Sequence, residues 1–137
     1  MCIRDRGKDS LDRRFYERHY TKVDPKHFEP IVDGMWRGVN VGGTSTAARL
    51  EGLDVCGKTG TAENPRGRDH STFLSFAPKD NPKIAISVYV ENGGFGASAA
   101  LPIASLLEEY YLTDTIRRPA LLEHIKNMNI YYPSYDR

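Results

Sequence analysis

Cysteine, net charge and long apolar runs are all scarce in this chain, and each scarcity closes off a class of explanation. Cys2 and Cys56 are its only cysteines among 137 residues. Two do not make a disulfide framework, and Cys56, lying in an apolar run, reads as a buried thiol. Lysine and arginine number 19 against 18 acidic residues, which leaves a formal charge of +1. That balance creates no field that would select nucleic acid or an anionic membrane surface. The longest strongly apolar run, from Ile84 to Val90, falls well short of the roughly 20 residues needed to span a bilayer. His19, His27, His70 and His124 are scattered with no metal-ligand spacing, so neither a metal nor another cofactor is expected. What remains is a chain with 39% hydrophobic residues, enough for one domain with a core.

Met1 to Arg6 lacks the charged-then-apolar organisation of a signal peptide and is set aside as an artefactual leader. The stretch from Gly7 to Phe28 is rich in charge and aromatics without a sustained period, and reads mostly as loop. Pro30 then suits the first turn of a helix marked by Ile31, Val32, Met35, Trp36 and Val39 at 3.6-residue spacing. Gly42 and Gly43 end it. Thr44, Ser45 and Thr46 offer caps for a second short helix through Ala47, Ala48 and Leu50, stopped at Gly52. Leu53 and Val55 lead a strand into Lys58-Thr59-Gly60-Thr61. Glu63 to Asp69 is an exposed connection; His70 to Ala77 and Ile84 to Val90 are strands joined by a turn from Pro78 to Pro82, hence an antiparallel hairpin, with the second strand the more thoroughly buried. A loop containing Gly93, Gly94 and Gly96 precedes a helix from Ala99 to Leu112. Its expected apolar face is Ile103, Leu106, Leu107, Tyr110 and Tyr111, with Pro102 in the first turn. Leu121, Leu122, Ile125 and Met128 give a weaker helical pattern before a tyrosine-rich end. One sheet face can be covered by the 99 to 112 helix, whereas the other face and at least one edge have no evident cover.

Lys58 belongs to two overlapping patterns. Gly52, four residues, then Gly57-Lys58-Thr59 satisfies a phosphate-binding loop, and Lys58-Thr59-Gly60 is the tripeptide of serine acyl-transfer enzymes that handle penicillin-like substrates. A phosphate loop follows a strand and opens a helix. Here a helical segment precedes Gly52, and Gly60, Asn64, Pro65 and Gly67 forbid a helix after Thr59. Read as a strand, the segment presents an ammonium along a cleft, with Gly60 leaving room for a substrate backbone. The hydroxyls of Thr59 or Thr61 can bind a carboxylate, and an outward amide can stabilise an oxyanion.

An ordered series of motifs supports the second reading. It comprises Met35 with Gly38 and Val39, Gly43-Thr44-Ser45-Thr46-Ala47, and Gly57-Lys58-Thr59-Gly60-Thr61-Ala62-Glu63. His70 with Phe73 follows, then Phe76-Ala77-Pro78, Lys83 to Val88, Glu91 to Gly94, and the alanine-rich helix containing Pro102. From about Gly34 to Leu112 the chain resembles the C-terminal part of the transpeptidase domain of class B penicillin-binding proteins, in particular the elongation-type penicillin-binding protein 2. The resemblance implies an α/β (α+β) fold of the penicillin-binding transpeptidase and β-lactamase kind, an antiparallel sheet flanked by helices, here incomplete. It assigns residues 7–116 to the transpeptidase domain and 117–137 to a C-terminal tail. It makes Lys58, Thr59, Gly60 and Thr61 substrate-binding residues, with Lys58 and the Thr61 amide acting in catalysis. His70 reads as a satisfied structural residue. Implied partners are peptidoglycan stem peptides, β-lactam antibiotics and, for a parent protein, other cell-wall elongation membrane proteins.

That family also uses a Ser-x-x-Lys pair and a Ser-x-Asn element. No serine here has a lysine three residues later or an asparagine two residues later. The expectation is therefore a chain truncated before residue 7, unable to turn over alone, from a parent anchored in the bacterial cytoplasmic membrane with this domain outside. Two alternatives stay open: a non-catalytic binding or scaffold homologue, and a serine β-lactamase or D,D-carboxypeptidase.

Overall fold

A computed structural model describes residues 20–130. The leader with Cys2, the stretch up to His19, and the tyrosines from Tyr131 onward lie outside the described residues. A single 3-10 turn, Pro25–His27, leads into helix α1 (Glu29–Asn40). Pro30 lies in the first turn of α1, where an absent amide leaves no bond unmade, and Glu29 faces the positive end of the helix dipole. Of the expected apolar stripe only Val39 is fully buried, and Ile31 is exposed. The helix grips the sheet through its C-terminal end. There the Asn40 side-chain amide donates to Trp36 O and to Val55 O, both at 2.9 Å, while Trp36 Nε1 donates to Asp54 Oδ1 at 2.8 Å.

The second helix expected around Ala47 is only one 3-10 turn, Thr46–Ala48, and Ser45 at its cap position makes no side-chain capping bond. Leu50 is withdrawn from it by an isolated bridge to Leu53 around Gly52, whose φ of 76° is the left-handed conformation that a turn needs. Leu53 and Val55 therefore precede the strand instead of opening it.

Three strands follow: β1 (Cys56–Ala62), β2 (His70–Ala77) and β3 (Ile84–Val90), antiparallel in the order β1-β2-β3. Helix α2 (Ala100–Thr113) and helix α3 (Pro119–Lys126) complete the described fold. Thr59 lies opposite Phe73, which lies opposite Val88, so these three side chains share one face. That face holds the core: Phe73 packs with Val39, Ala48, Val55, Leu101 and Ala104 from α1, the 46–48 turn, the approach to β1, and α2. Cys56 is also buried, with no disulfide partner among the described residues, and burial pushes its thiol up to about 11.

Burial along the strands reverses one expectation. The central strand β2 is the buried one, with Ser71, Phe73, Ser75 and Ala77 inside, while β3, at the end of the described sheet, alternates half-buried residues on the packed face with exposed ones on the open face. The opposite sheet face carries Lys58, Leu74 and Tyr89 outward and is open around them among the described residues, with Leu74 50% and Tyr89 56% exposed. The expected face of α2 is likewise turned in part, with Leu106 buried as expected and Ile103 half-buried. Its small and short residues Ala100, Leu101, Ala104 and Ser105 go down, because small side chains let the helix lie close to the sheet, and Leu107, Tyr110 and Tyr111 point away. Part of that outward surface, including Ile103 and Tyr110, forms an apolar groove with Ile116, Leu122 and Ile125 from the α3 side.

Two acids of α2 are buried among these small residues. Arg118 holds one of them, its Nε lying 3.3 Å from Glu109 Oε1 while its Nη2 donates to Ser105 O at 3.0 Å and Ser105 Oγ at 2.8 Å. Glu108 is fully buried, and neither of its carboxyl oxygens has a hydrogen-bond partner among the described residues; nor has the buried Ser75 Oγ. Burial pushes the Glu108 carboxyl up to about 7, against smaller downward pulls from the Ser75 hydroxyl and the Arg118 guanidinium.

Candidate active-site strand

Lys58 lies in the middle of β1, and no helix starts there, so a phosphate loop is excluded. With β2 on one side only, β1 is an edge of the described sheet. Lys58 and Gly60 project to the open face, Thr59 and Thr61 to the packed one. The hydroxyls and the ammonium therefore do not share a face; they share the free edge. Lys58 Nζ reaches round to donate to the Thr59 carbonyl at 2.6 Å.

Carbonyl contacts define which backbone groups look off that edge. Asn40 takes the carbonyl of Val55, a Cβ on Gly38 would lie 3.5 Å from the carbonyl of Gly57, and Lys58 takes that of Thr59. All three belong to odd-numbered residues. In an antiparallel ladder a residue's N–H and C=O point the same way and alternate from residue to residue. The amide of Thr61, two residues further, accordingly points off the same edge, away from β2.

Neighbouring loops fix the side chains. Thr59 Oγ1 lies 3.2 Å from Thr44 Oγ1, and Thr61 Oγ1 accepts from the Gly96 amide at 3.3 Å. Gly96 presses on the backbone itself: a Cβ there would stand 2.5 Å from Gly60 O, 2.7 Å from Thr72 O and 2.9 Å from Gly60 N. Ser71 seats the same loop from below, its hydroxyl within 2.8 Å of Phe95 O and accepting from the Ala100 amide at 2.9 Å. Gly60 has a local reason to be glycine as well, since a Cβ would meet Thr72 Oγ1 at 2.4 Å. His70 is engaged structurally, its Nδ1 accepting from the Asn92 amide at 3.0 Å with its ring 5.4 Å from that of Tyr89.

The sequence reading names Lys58, Thr59, Gly60 and Thr61, and the fold keeps all four on this one rim. It names neither Thr44, read there only as a helix-cap candidate, nor Gly96 as a site residue, although both fall inside or beside motifs already noticed. A cavity of about 720 Å³ bordered by Trp36, Asn40, Arg49 and Asp54 lies elsewhere and is lined by none of the four rim residues. Among the described residues no group of three or more His, Cys, Asp and Glu side chains could hold a metal ion, and no helix is long and apolar enough to cross a membrane.

Residues 12–107 match the family described as the penicillin binding protein transpeptidase domain. Among curated proteins, the peptidoglycan D,D-transpeptidase MrdA of Haemophilus influenzae is 36% identical over an alignment covering 65% of this chain and 16% of that protein. The probable peptidoglycan D,D-transpeptidase PenA of Neisseria gonorrhoeae is 39% identical over 44% of this chain and 12% of its own. Among solved structures, an imipenem acyl-enzyme complex of penicillin-binding protein A from M. tuberculosis superposes with a TM-score of 0.57 at 32% identity, covering 66% of this chain and 20% of that one. The chain thus spans about a sixth or less of the length of these curated relatives. The match over residues 12–107 takes in α1 and all three strands, and the chain belongs to the penicillin-binding protein transpeptidase domain family, with homology to its class B members.

Proposed function

We propose that this chain is the rim-bearing part of a serine D,D-transpeptidase of the elongation type, penicillin-binding protein 2. In that reaction a serine attacks the D-Ala-D-Ala amide of a peptidoglycan stem peptide, D-alanine leaves with the proton it gains, and the acyl group passes to an amine of a neighbouring stem. Lys58 and the Thr59 hydroxyl take the carboxylate of the stem peptide or of a β-lactam. The Thr61 amide donates to the carbonyl oxygen as it becomes an oxyanion, and a donor of this kind contributes roughly 3 kcal/mol to transition-state stabilisation. The observation that carries the reading is the extended course of Lys58 to Thr61 along a free sheet edge, with the Thr61 amide directed outward.

The nucleophile and its base belong to other parts of the complete protein, which is held at the outer side of the bacterial cytoplasmic membrane and works with other elongation proteins there. The 137-residue chain alone binds carboxylates weakly and turns nothing over. Incubation with a fluorescent penicillin tests both statements. The complete protein encoded by the gene should become covalently labelled, with labelling sharply slowed in Lys58→Ala, and the isolated chain should not label. Stable labelling of the isolated chain would reveal a nucleophile within it; an unlabelled complete protein would remove the transpeptidase reading.

A further inference from the structure

Thr44 is fifteen residues from Thr59 in sequence, yet their hydroxyl oxygens lie 3.2 Å apart. The approach is built by glycine. Gly43 lies so close to the end of α1 that a Cβ would stand 2.6 Å from the Cα of Gly38, and the Ser45 amide donates to Gly38 O at 3.1 Å. Ser45 is buried, which pins the loop, while Thr44 next to it is exposed and leans over the rim of β1. Gly42, at a φ of 83°, provides the reversal that brings the loop back from α1.

We propose that Thr44 is a positioning residue for Thr59, an inference that rests on the reading of Thr59 as a carboxylate ligand. A threonine hydroxyl has one proton and can accept from two directions. A carboxylate only accepts, so Thr59 must spend its proton on the ligand, and a hydroxyl left to rotate freely would share that proton with water. Either hydroxyl of the pair could donate; on this reading Thr44 is the donor, to a lone pair of Thr59 Oγ1, which leaves the Thr59 proton with the outward direction. The bond also polarises the Thr59 hydroxyl and strengthens its donation to an anion. The rim therefore recognises a carboxylate through a relay of two hydroxyls, the second of them supplied by the loop after α1.

The test compares Thr44→Val, Thr44→Ser, Thr59→Val and the double variant in the complete protein, using acylation by benzylpenicillin and by its methyl ester. Valine keeps the shape at an exposed position, and thermal unfolding checks that each variant is folded. Thr44→Val should raise the half-saturating concentration of benzylpenicillin about three- to tenfold, the loss of one hydroxyl bond, with the maximal acylation rate little changed. Ester acylation should be unaffected, Thr44→Ser should restore wild-type behaviour, and adding Thr44→Val to Thr59→Val should cost nothing further. Normal benzylpenicillin saturation in Thr44→Val alongside a defect in Thr59→Val overturns this inference alone. So does equal loss toward acid and ester, or full additivity in the double variant. Wild-type behaviour of Thr59→Val removes the carboxylate reading and this inference with it.

Discussion

Replacing Glu108 by glutamine should abolish a pH dependence of folding that the buried carboxyl imposes. In the unfolded chain this group titrates at its ordinary value of 4.5; in the native state, fully buried between α2 and the sheet with only Ser75 and Arg118 pulling it down, it is pushed up to about 7. Between those values the folded protein keeps a proton that the unfolded chain releases. The stabilisation is therefore complete below pH 4.5, declines as pH rises, and has vanished once pH passes about 7. A rise of that size corresponds to roughly 3 kcal/mol, and full burial means that solvent does not screen it. Arg118 is the charged partner that keeps the change from being larger, and Glu109 beside it is already paired with the same guanidinium. Glutamine has nearly the same volume and no charge to desolvate. Urea unfolding followed by circular dichroism from pH 4.5 to 8.5, on wild type and Glu108→Gln in parallel, measures the difference while common contributions cancel. The variant's relative stability should climb across that interval by roughly 3 kcal/mol. A constant difference between the two proteins would refute the reasoning, since it would mean that Glu108 stays ionised in the fold or reaches solvent.

Two further outcomes follow from packing. Gly96→Ala should destabilise the chain by about 1–3 kcal/mol, because the added methyl group meets backbone atoms that have no rotamer to change; an unchanged urea midpoint would show that the loop is not seated on β1 and β2. Cys56, buried with its thiol pushed up to about 11, should resist alkylation by iodoacetamide at pH 8 in the native chain and react promptly in urea, with mass spectrometry as the readout. Equal rates in both states would place the thiol at the surface.

Much of this architecture could be read from residue order, for identifiable reasons. The hairpin of β2 and β3 was legible because alternation and the run from Pro78 to Pro82 are both local signals. Which strand is central is a property of pairing, and so the deeper burial went to β2 although the Ile84 to Val90 run is the more aliphatic. The orientation of α2 escaped for a similar reason. Hydrophobicity favours Leu107 and Tyr110 as the inner face, but close approach to the sheet selects alanine and serine, even at the expense of burying Glu108. At the rim, Lys58 to Thr61 announces itself as a motif. The contact with Thr44 depends on how tightly Gly43 meets Gly38 across a turn, and no periodicity records a distance of that kind.

The seat of Gly96 has a consequence for how this rim can vary. Every other amino acid begins with a carbon where three main-chain atoms already stand, so the ground beneath Thr61 offers no graded series of replacements, only the bare hydrogen or a displaced loop. Diversity at this end of the strand must therefore come from its flanks, where Phe95 and Ala97 can change character without moving the floor.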